Sequence, residues 1–276
     1  MCGLTCFFAR ESVPDYKHLD TLFMGSERRG QDGFGFVIIR KESDGRRIRT
    51  IWKDVRKYSD CKDDVKNVFM TDPLKIGDVV MAICRAAPET EGQTDVLRID
   101  QTMQPIVDKG HGLAVVHNGA VSRKIHNELK EWAKTSGEYE FTSDIDSEAI
   151  LASYVKHGRN MKDCMQELSG GFAFLLFDEK KDCLYVINDH MQIAHGYSRV
   201  VGGFFLHSDN DVIGKIIQET HGVTKDGVNI WENYYHHFLD GHAIRQIDLQ
   251  SGCMSKQSYT PRYMTPTFDT IHGIIK

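Results

Sequence analysis

Two runs of this chain, Phe34-Gly35-Phe36-Val37-Ile38-Ile39 and Phe172-Ala173-Phe174-Leu175-Leu176-Phe177, carry no polar residue at any position. A strand with one wet face alternates polar and apolar residues, so a strand without alternation must be covered on both faces. Both runs are far shorter than the ~18 apolar residues of a membrane span. They are therefore strands of sheets sandwiched between other layers. Further apolar runs near 4–8, 47–52, 77–84, 112–117, 183–188, 200–207, 242–248 and 253–259 are bounded by Gly, Asp or Asn and read as strands too.

Helical periodicity fills several gaps between them. Tyr16, Leu19, Leu22 and Phe23 share one face of a helix that stops before Gly30. Ile125, Leu129, Trp132 and Ala133 mark a second helix, with Ser122 at its N-cap position and Gly137 past its end. Ile150, Leu151, Tyr154 and Val155 mark a third before Gly158, and Asp209 is placed to cap a fourth carrying Val212, Ile213, Ile216 and Ile217. Close strand pairs such as 171–178 with 183–188 read as hairpins. The pattern predicts an α+β layered fold with antiparallel sheets and helices outside.

Lys and Arg number 34 against 39 Asp and Glu, a net charge of −5. A phosphate-backbone binder would carry a clustered basic excess, so no nucleic-acid partner is expected. No apolar run predicts a membrane association, and no basic-then-apolar leader is seen. The 276 residues contain seven cysteines, an odd number scattered through a chain too long to need staples, which predicts reduced thiols in a cytoplasmic setting. No linker, repeat or low-complexity tract breaks the chain.

The chemistry-bearing residues begin with Cys2, directly after the initiator Met. Loss of Met1 would leave a residue bearing both a thiol and a free α-amine, and an amine of pKa ~7.7–8.0 can serve as base to its own thiol. Cys6 gives a C-x-x-x-C spacing that no downstream Cys or His pair completes, so no metal is expected. Cys84 and Cys183 are expected to be packing residues within strands. Further along come Arg29-Gly30-Gln31-Asp32-Gly33, Arg85 at a strand end, Gln104-Pro105, a strand finishing in His117-Asn118-Gly119, and Asp146-Ser147-Glu148 opening a helix. Read singly, Asn118-Gly119 could be a hairpin turn, Arg85 a surface ion pair, and Asp146 a simple N-cap with Asp144 as a rival.

Together these six elements resemble the class II glutamine amidotransferases, whose glutaminase domains carry Cys-Gly at the mature terminus, R-G-Q-D, a strand-end arginine, Q-P or H-P, H-N-G and D-S-E in this order. The likeness extends through Leu168-Ser169-Gly170-Gly171-Phe172-Ala173-Phe174, Phe205-Leu206-His207-Ser208-Asp209 and Asp240-Gly241-His242-Ala243-Ile244. It covers roughly residues 2–258 and is similar in kind to the glutaminase domain of amidophosphoribosyltransferase. The resemblance implies a four-layer αββα N-terminal-nucleophile sandwich. It implies Cys2 as nucleophile, Asn118 and Gly119 as the oxyanion pair, and Arg85 and Asp146 as partners for the carboxylate and ammonium of L-glutamine. Arg29 would orient the nucleophile's loop or terminus, with a purely structural turn role equally open.

One departure stands out. The family often shows D-x-x-G-x-R-P-L, and Asp189-His190-Met191-Gln192-Ile193-Ala194-His195-Gly196 lacks its Gly, Arg and Pro. That leaves the ammonia acceptor undefined, and His190 and His195 read as ordinary loop residues. The expected organisation is a glutaminase domain over 1–258 and an irregular tail over 259–276, with no cofactor. The expected activity is glutamine hydrolysis with ammonia passed to a separate synthetase or transferase chain, and homo-oligomer formation is left open. The alternatives are an amidohydrolase acting on a γ-glutamyl-type amide, or a non-catalytic pseudo-glutaminase scaffold.

Overall fold

The structure, a computed structural model, describes residues 1–42, 47–87, 103–221 and 234–259. Among these residues the strands are β1 (Gly3–Ala9), β2 (Phe34–Ile39), β3 (Ile48–Asp54), β4 (Val79–Cys84), β5 (Ile106–Asp108), β6 (Leu113–Val121), β7 (Gly170–Asp178), β8 (Cys183–Asp189), β9 (Ala194–Ser198), β10 (Gly203–His207), β11 (Tyr234–Phe238), β12 (Ala243–Asp248) and β13 (Met254–Ser258). The helices are α1 (Tyr16–Glu27), α2 (Tyr58–Thr71), α3 (Arg123–Ser136), α4 (Glu148–Lys156), α5 (Met161–Glu167) and α6 (Asn210–His221).

One sheet runs β11-β9-β10-β1-β4-β2-β3 and the other β13-β12-β8-β7-β6-β5. Neighbouring strands in both are antiparallel. Three separate clusters of buried side chains define the layers. Leu4, Cys6 and Phe8 of β1 meet Val37, Met81, Ala114, Val116, Ala173 and Leu175 between the sheets. Phe7, Phe34, Phe36 and Phe205 point the other way, onto Leu22, Phe23, Val65 and Ile213 of α1, α2 and α6. Leu113, Val115, Phe172 and Phe174 point outward beneath Leu129, Ile150, Leu151 and Met165 of α3 to α5. The chain is thus an αββα sandwich, and the two fully apolar runs are β2 and the heart of β7, each covered on both faces.

Local signals explain some element ends. Gly137 takes a left-handed φ of 70° at the C-cap of α3. The Asp209 carboxylate accepts from the Asp211 N–H at 3.0 Å and caps α6. Ser122 occupies the N-cap position of α3, but its side chain makes no capping bond. Cys84 and Cys183 are buried within β4 and β8, where burial pushes both thiols up, Cys183 to about 12.

Some expectations are corrected. The His117-Asn118-Gly119 segment does not finish its strand, since β6 continues to Val121 and pairs with Gly170–Phe174 of β7. His195 is not in a loop but inside β9, opposite Leu206, and is buried. His190 does lie just past β8, at φ 62°, with Nδ1 2.6 Å from Asp189 Oδ1. The tail expected over 259–276 lies, apart from buried Tyr259, outside the described residues.

The two sheets are tied together at one end. The Arg47 N–H donates to Glu179 Oε1 at 2.5 Å, and its guanidinium pairs with Asp182 in the β7–β8 turn. At the opposite end lie the start of β1, the end of β4 and the far half of β6.

Candidate active site

Cys2 sits immediately ahead of β1, whose Gly3 pairs with Cys84 at the end of β4. Its half-buried thiol accepts from the Ala86 N–H at 3.4 Å and lies 3.8 Å from the Ala86 carbonyl. Arg29 donates from Nε to the Cys2 carbonyl at 3.4 Å. Position 3 has to be glycine, because a Cβ there would stand 2.1 Å from the Ser26 carbonyl oxygen at the end of α1. Ser26 also bonds Thr5 Oγ1 at 2.6 Å and His207 Nε2 at 3.0 Å, so the terminus is moored to α1 and β10 together.

Arg85 follows β4 and is 5% exposed, which excludes a surface ion pair. Its N–H donates to the Gly33 carbonyl and its carbonyl accepts from the Asp32 N–H, both at 2.8 Å. Asp32 Oδ2 then accepts from the Ala87 N–H at 2.9 Å. The R-G-Q-D turn is therefore stitched to the segment that carries the guanidinium.

Across the interlayer, β6 faces β1 and β4. Asn118 follows Ala114 and Val116 on the face of β6 that looks between the sheets. It is fully buried, and among the described residues neither its Oδ1 nor its Nδ2 has a hydrogen-bond partner. An unsatisfied buried amide costs about 1–3 kcal/mol, and such a cost is typical of a group kept for function. Gly119 is no hairpin turn. It holds φ 117° within β6, where a Cβ would lie 2.1 Å from the Gly171 carbonyl oxygen.

Asp146 precedes α4, but its carboxylate does not cap that helix. Oδ2 accepts from the Val121 N–H at 2.6 Å, at the end of β6. The rest of the D-S-E segment is equally occupied. Ser147 bonds His117 Nδ1 at 2.9 Å, and Glu148 accepts from the N–H and hydroxyl groups of Thr142 and Ser143.

The electrostatics join these groups. Burial pushes the Cys2 thiol up from its ordinary value; the Ala86 N–H, the N-terminal ammonium and Arg85 oppose it, and Asp146 reinforces it. Arg85 and Asp146, opposite in sign, both act on the same thiol. The structure thus gathers Cys2, Arg29, Arg85 and Asp146 at one end of the sandwich and sets Asn118 and Gly119 on the strand facing it. The sequence reading assigned no role to the Ala86 N–H, which no side chain announces, or to Gln104, Ser147 and Glu148, which it recorded only as parts of motifs. Among the described residues no group of three or more His, Cys, Asp or Glu could hold a metal ion.

Residues 93–213 match the family model of the glutamine amidotransferase domain. The chain is 23% identical over 204 residues to 7-cyano-7-deazaguanine synthase 2 of Sulfurisphaera tokodaii, covering 71% of this chain and 40% of that protein. It is 28% identical over 263 residues to the glutamine–fructose-6-phosphate aminotransferase of Corynebacterium diphtheriae, covering 88% and 39%. It therefore spans about 40% of the length of these relatives. Its fold is similar to that of the glutamine phosphoribosylpyrophosphate amidotransferase of B. subtilis, with a TM-score of 0.59 at 19% identity over 94% of this chain and 49% of that one. The matched domain, the αββα sandwich and the order of its motifs are similar to those of the class II, N-terminal-nucleophile glutamine amidotransferases.

Proposed function

We propose that this domain hydrolyses L-glutamine to glutamate and ammonia, with Cys2 as the nucleophile, and hands the ammonia to a synthetase or transferase partner. The observation that carries the reading is one thiol flanked by a buried cation and a carboxylate, facing a strand with an unpartnered buried amide. Free glutamine is a zwitterion, and Arg85 and Asp146 offer the two opposite charges its ends require.

Burial keeps the thiol protonated at neutral pH, so it needs a base. In the form that begins at Cys2, the free α-amine takes the thiol proton as sulfur attacks the side-chain carbonyl carbon. The Asn118 amide and Gly119 N–H receive the oxygen as it becomes an oxyanion. The ammonium then returns its proton to the departing nitrogen, the C–N bond breaks, and a glutamyl thioester and ammonia result. Water, deprotonated by the same amine, cleaves the thioester to glutamate and restores the thiol. Arg29, bonded to the Cys2 carbonyl, holds the nucleophile's backbone.

The test is glutamate release from glutamine by the native chain and by Cys2→Ala, whose fold a small change outside the core leaves intact. Activity retained in Cys2→Ala would overturn the assignment. Stimulation of hydrolysis by a co-purifying synthetase would separate ammonia transfer from simple amide hydrolysis.

A further inference from the structure

Antiparallel pairing of β5 with β6 runs through Asp108↔Leu113, Val107↔Ala114 and Ile106↔Val115. Continued by the same register, the next residue on β5 is Pro105, which has no N–H to give, and the one after it is Gln104, opposite His117. The main chain does not make that pair. The Gln104 carbonyl is turned away onto the other sheet, so close to β2 that a Cβ on Gly35 would lie 2.1 Å from it. The side chain makes the pair instead. Gln104 Oε1 accepts from the His117 N–H at 2.6 Å, and Gln104 Nε2 donates to the His117 carbonyl at 3.0 Å. A primary amide carries the same donor and acceptor as a peptide, so it reproduces the two-bond exchange of a hydrogen-bonded antiparallel pair.

Both partners are buried, Gln104 at 4% and His117 at 1% exposure. Water cannot take over the bonds if the amide is lost, and each stranded group would carry its full desolvation cost. The residue after His117 is Asn118. Gln104 therefore touches the sheet that carries Cys2 through its backbone, and through its side chain it fixes the strand that carries the oxyanion pair.

Resting on the glutaminase reading, we propose that Gln104 is a positioning residue: its side chain extends the β5 ladder and sets the register and depth of Asn118 and Gly119 relative to the thiol. Arg85 is held on the other sheet and the Asp146 carboxylate is held at Val121, four residues further along β6, so loss of Gln104 should act chiefly on the chemical step.

The experiment compares the native full chain with Gln104→Met, which keeps the volume and deletes both bonds. In glutamine hydrolysis, kcat should fall by ~10-fold or more, short of the ~10²–10³-fold cost of deleting an oxyanion donor, while KM stays within about threefold. In amide hydrogen exchange, His117 to Gly119 should lose protection while β1 and β4 keep theirs. A lowered unfolding midpoint with kcat unchanged in the folded enzyme would make Gln104 merely structural and overturn the proposal, as would unchanged exchange at His117. If the native chain fails to hydrolyse glutamine, the glutaminase reading falls, and the exchange measurement still decides whether Gln104 holds the strand. Should Gln104→Met not fold, Gln104→Glu, which loses only the donor, is read by the same criteria.

Discussion

The Val121 N–H points at Asp146 Oδ2 from 2.6 Å, anchoring the carboxylate before α4 to the same strand that carries Asn118 and Gly119. Substrate ammonium and oxyanion would thus be held from one rigid element. Asp146→Asn keeps an oxygen for Val121 but removes the charge, so it should raise the glutamine KM by about 10-fold or more with a smaller change in kcat. Arg85→Lys, which replaces a planar fork by a point charge, should behave alike. Steady-state kinetics with glutamine decides it; a pure kcat effect in either variant would remove that residue from substrate binding.

Asn118→Ala separates function from stability. The amide forms no hydrogen bond that its loss would break, so the unfolding midpoint in urea should stay nearly constant or rise. kcat should fall ~10²–10³-fold, the cost of a missing oxyanion donor. A variant that is strongly destabilised but kinetically normal would place Asn118 in the packing rather than the chemistry.

An N-terminal extension that cannot be processed converts the Cys2 amine into an amide. Loss of that base should lower turnover by ~10²–10⁴-fold while glutamine still binds. Intact-mass analysis paired with kinetics on the extended and native proteins is the check, and full activity with Met1 demonstrably attached would refute the α-amine as base.

His207 gives the fold a pH dependence of defined sign. Its Nδ1 accepts from the Asp209 N–H at 2.8 Å, and its Nε2 lies 3.1 Å from the Leu22 carbonyl. Burial lowers its pKa to about 4, below the value of ~6.5 in an unfolded chain. The unfolded state therefore binds the extra proton first. The stabilisation is whole above ~6.5 and is lost as pH falls toward 4, up to about 3 kcal/mol in all. Urea midpoints at neutral and mildly acid pH should diverge in the native protein and converge in His207→Asn. Equal pH slopes in both would clear His207 of the effect.

What could be read ahead of the structure follows from where the physics is local. Leu19, Leu22 and Phe23, and the Gly137 stop, carry their own periodicity and φ preference, so α1 and α3 were legible. α2 was not: its buried residues, Tyr58, Cys61, Val65 and Phe69, form a thin stripe through a strongly charged segment. β5 has three residues, and β9 mixes His195, Gly196 and Tyr197, so neither has a pattern long enough to register. The candidate site residues were legible through motif order rather than through any single residue. The end of β6 was misread because His117-Asn118-Gly119 looks like a turn until β7 pairs beyond it. Gln104 had no readable role, because a side chain standing in for a peptide bond exists only once the tertiary register is set.

The position of β1 has a consequence in time. Its two neighbours in the sheet, β4 and β10, end at Cys84 and His207, so β1 cannot be enclosed on both edges until the chain through His207 has been made. At ~5–20 residues per second of synthesis, the segment around Cys2 stays open on the ribosome for roughly 10–40 s before β10 can close over its flank. Any peptidase that trims the residue ahead of Cys2 has that interval in which to meet an extended substrate. Afterwards Gly3 is packed against Ser26 and Cys2 is half-buried, while Met1 stays exposed at the lip of the finished sandwich.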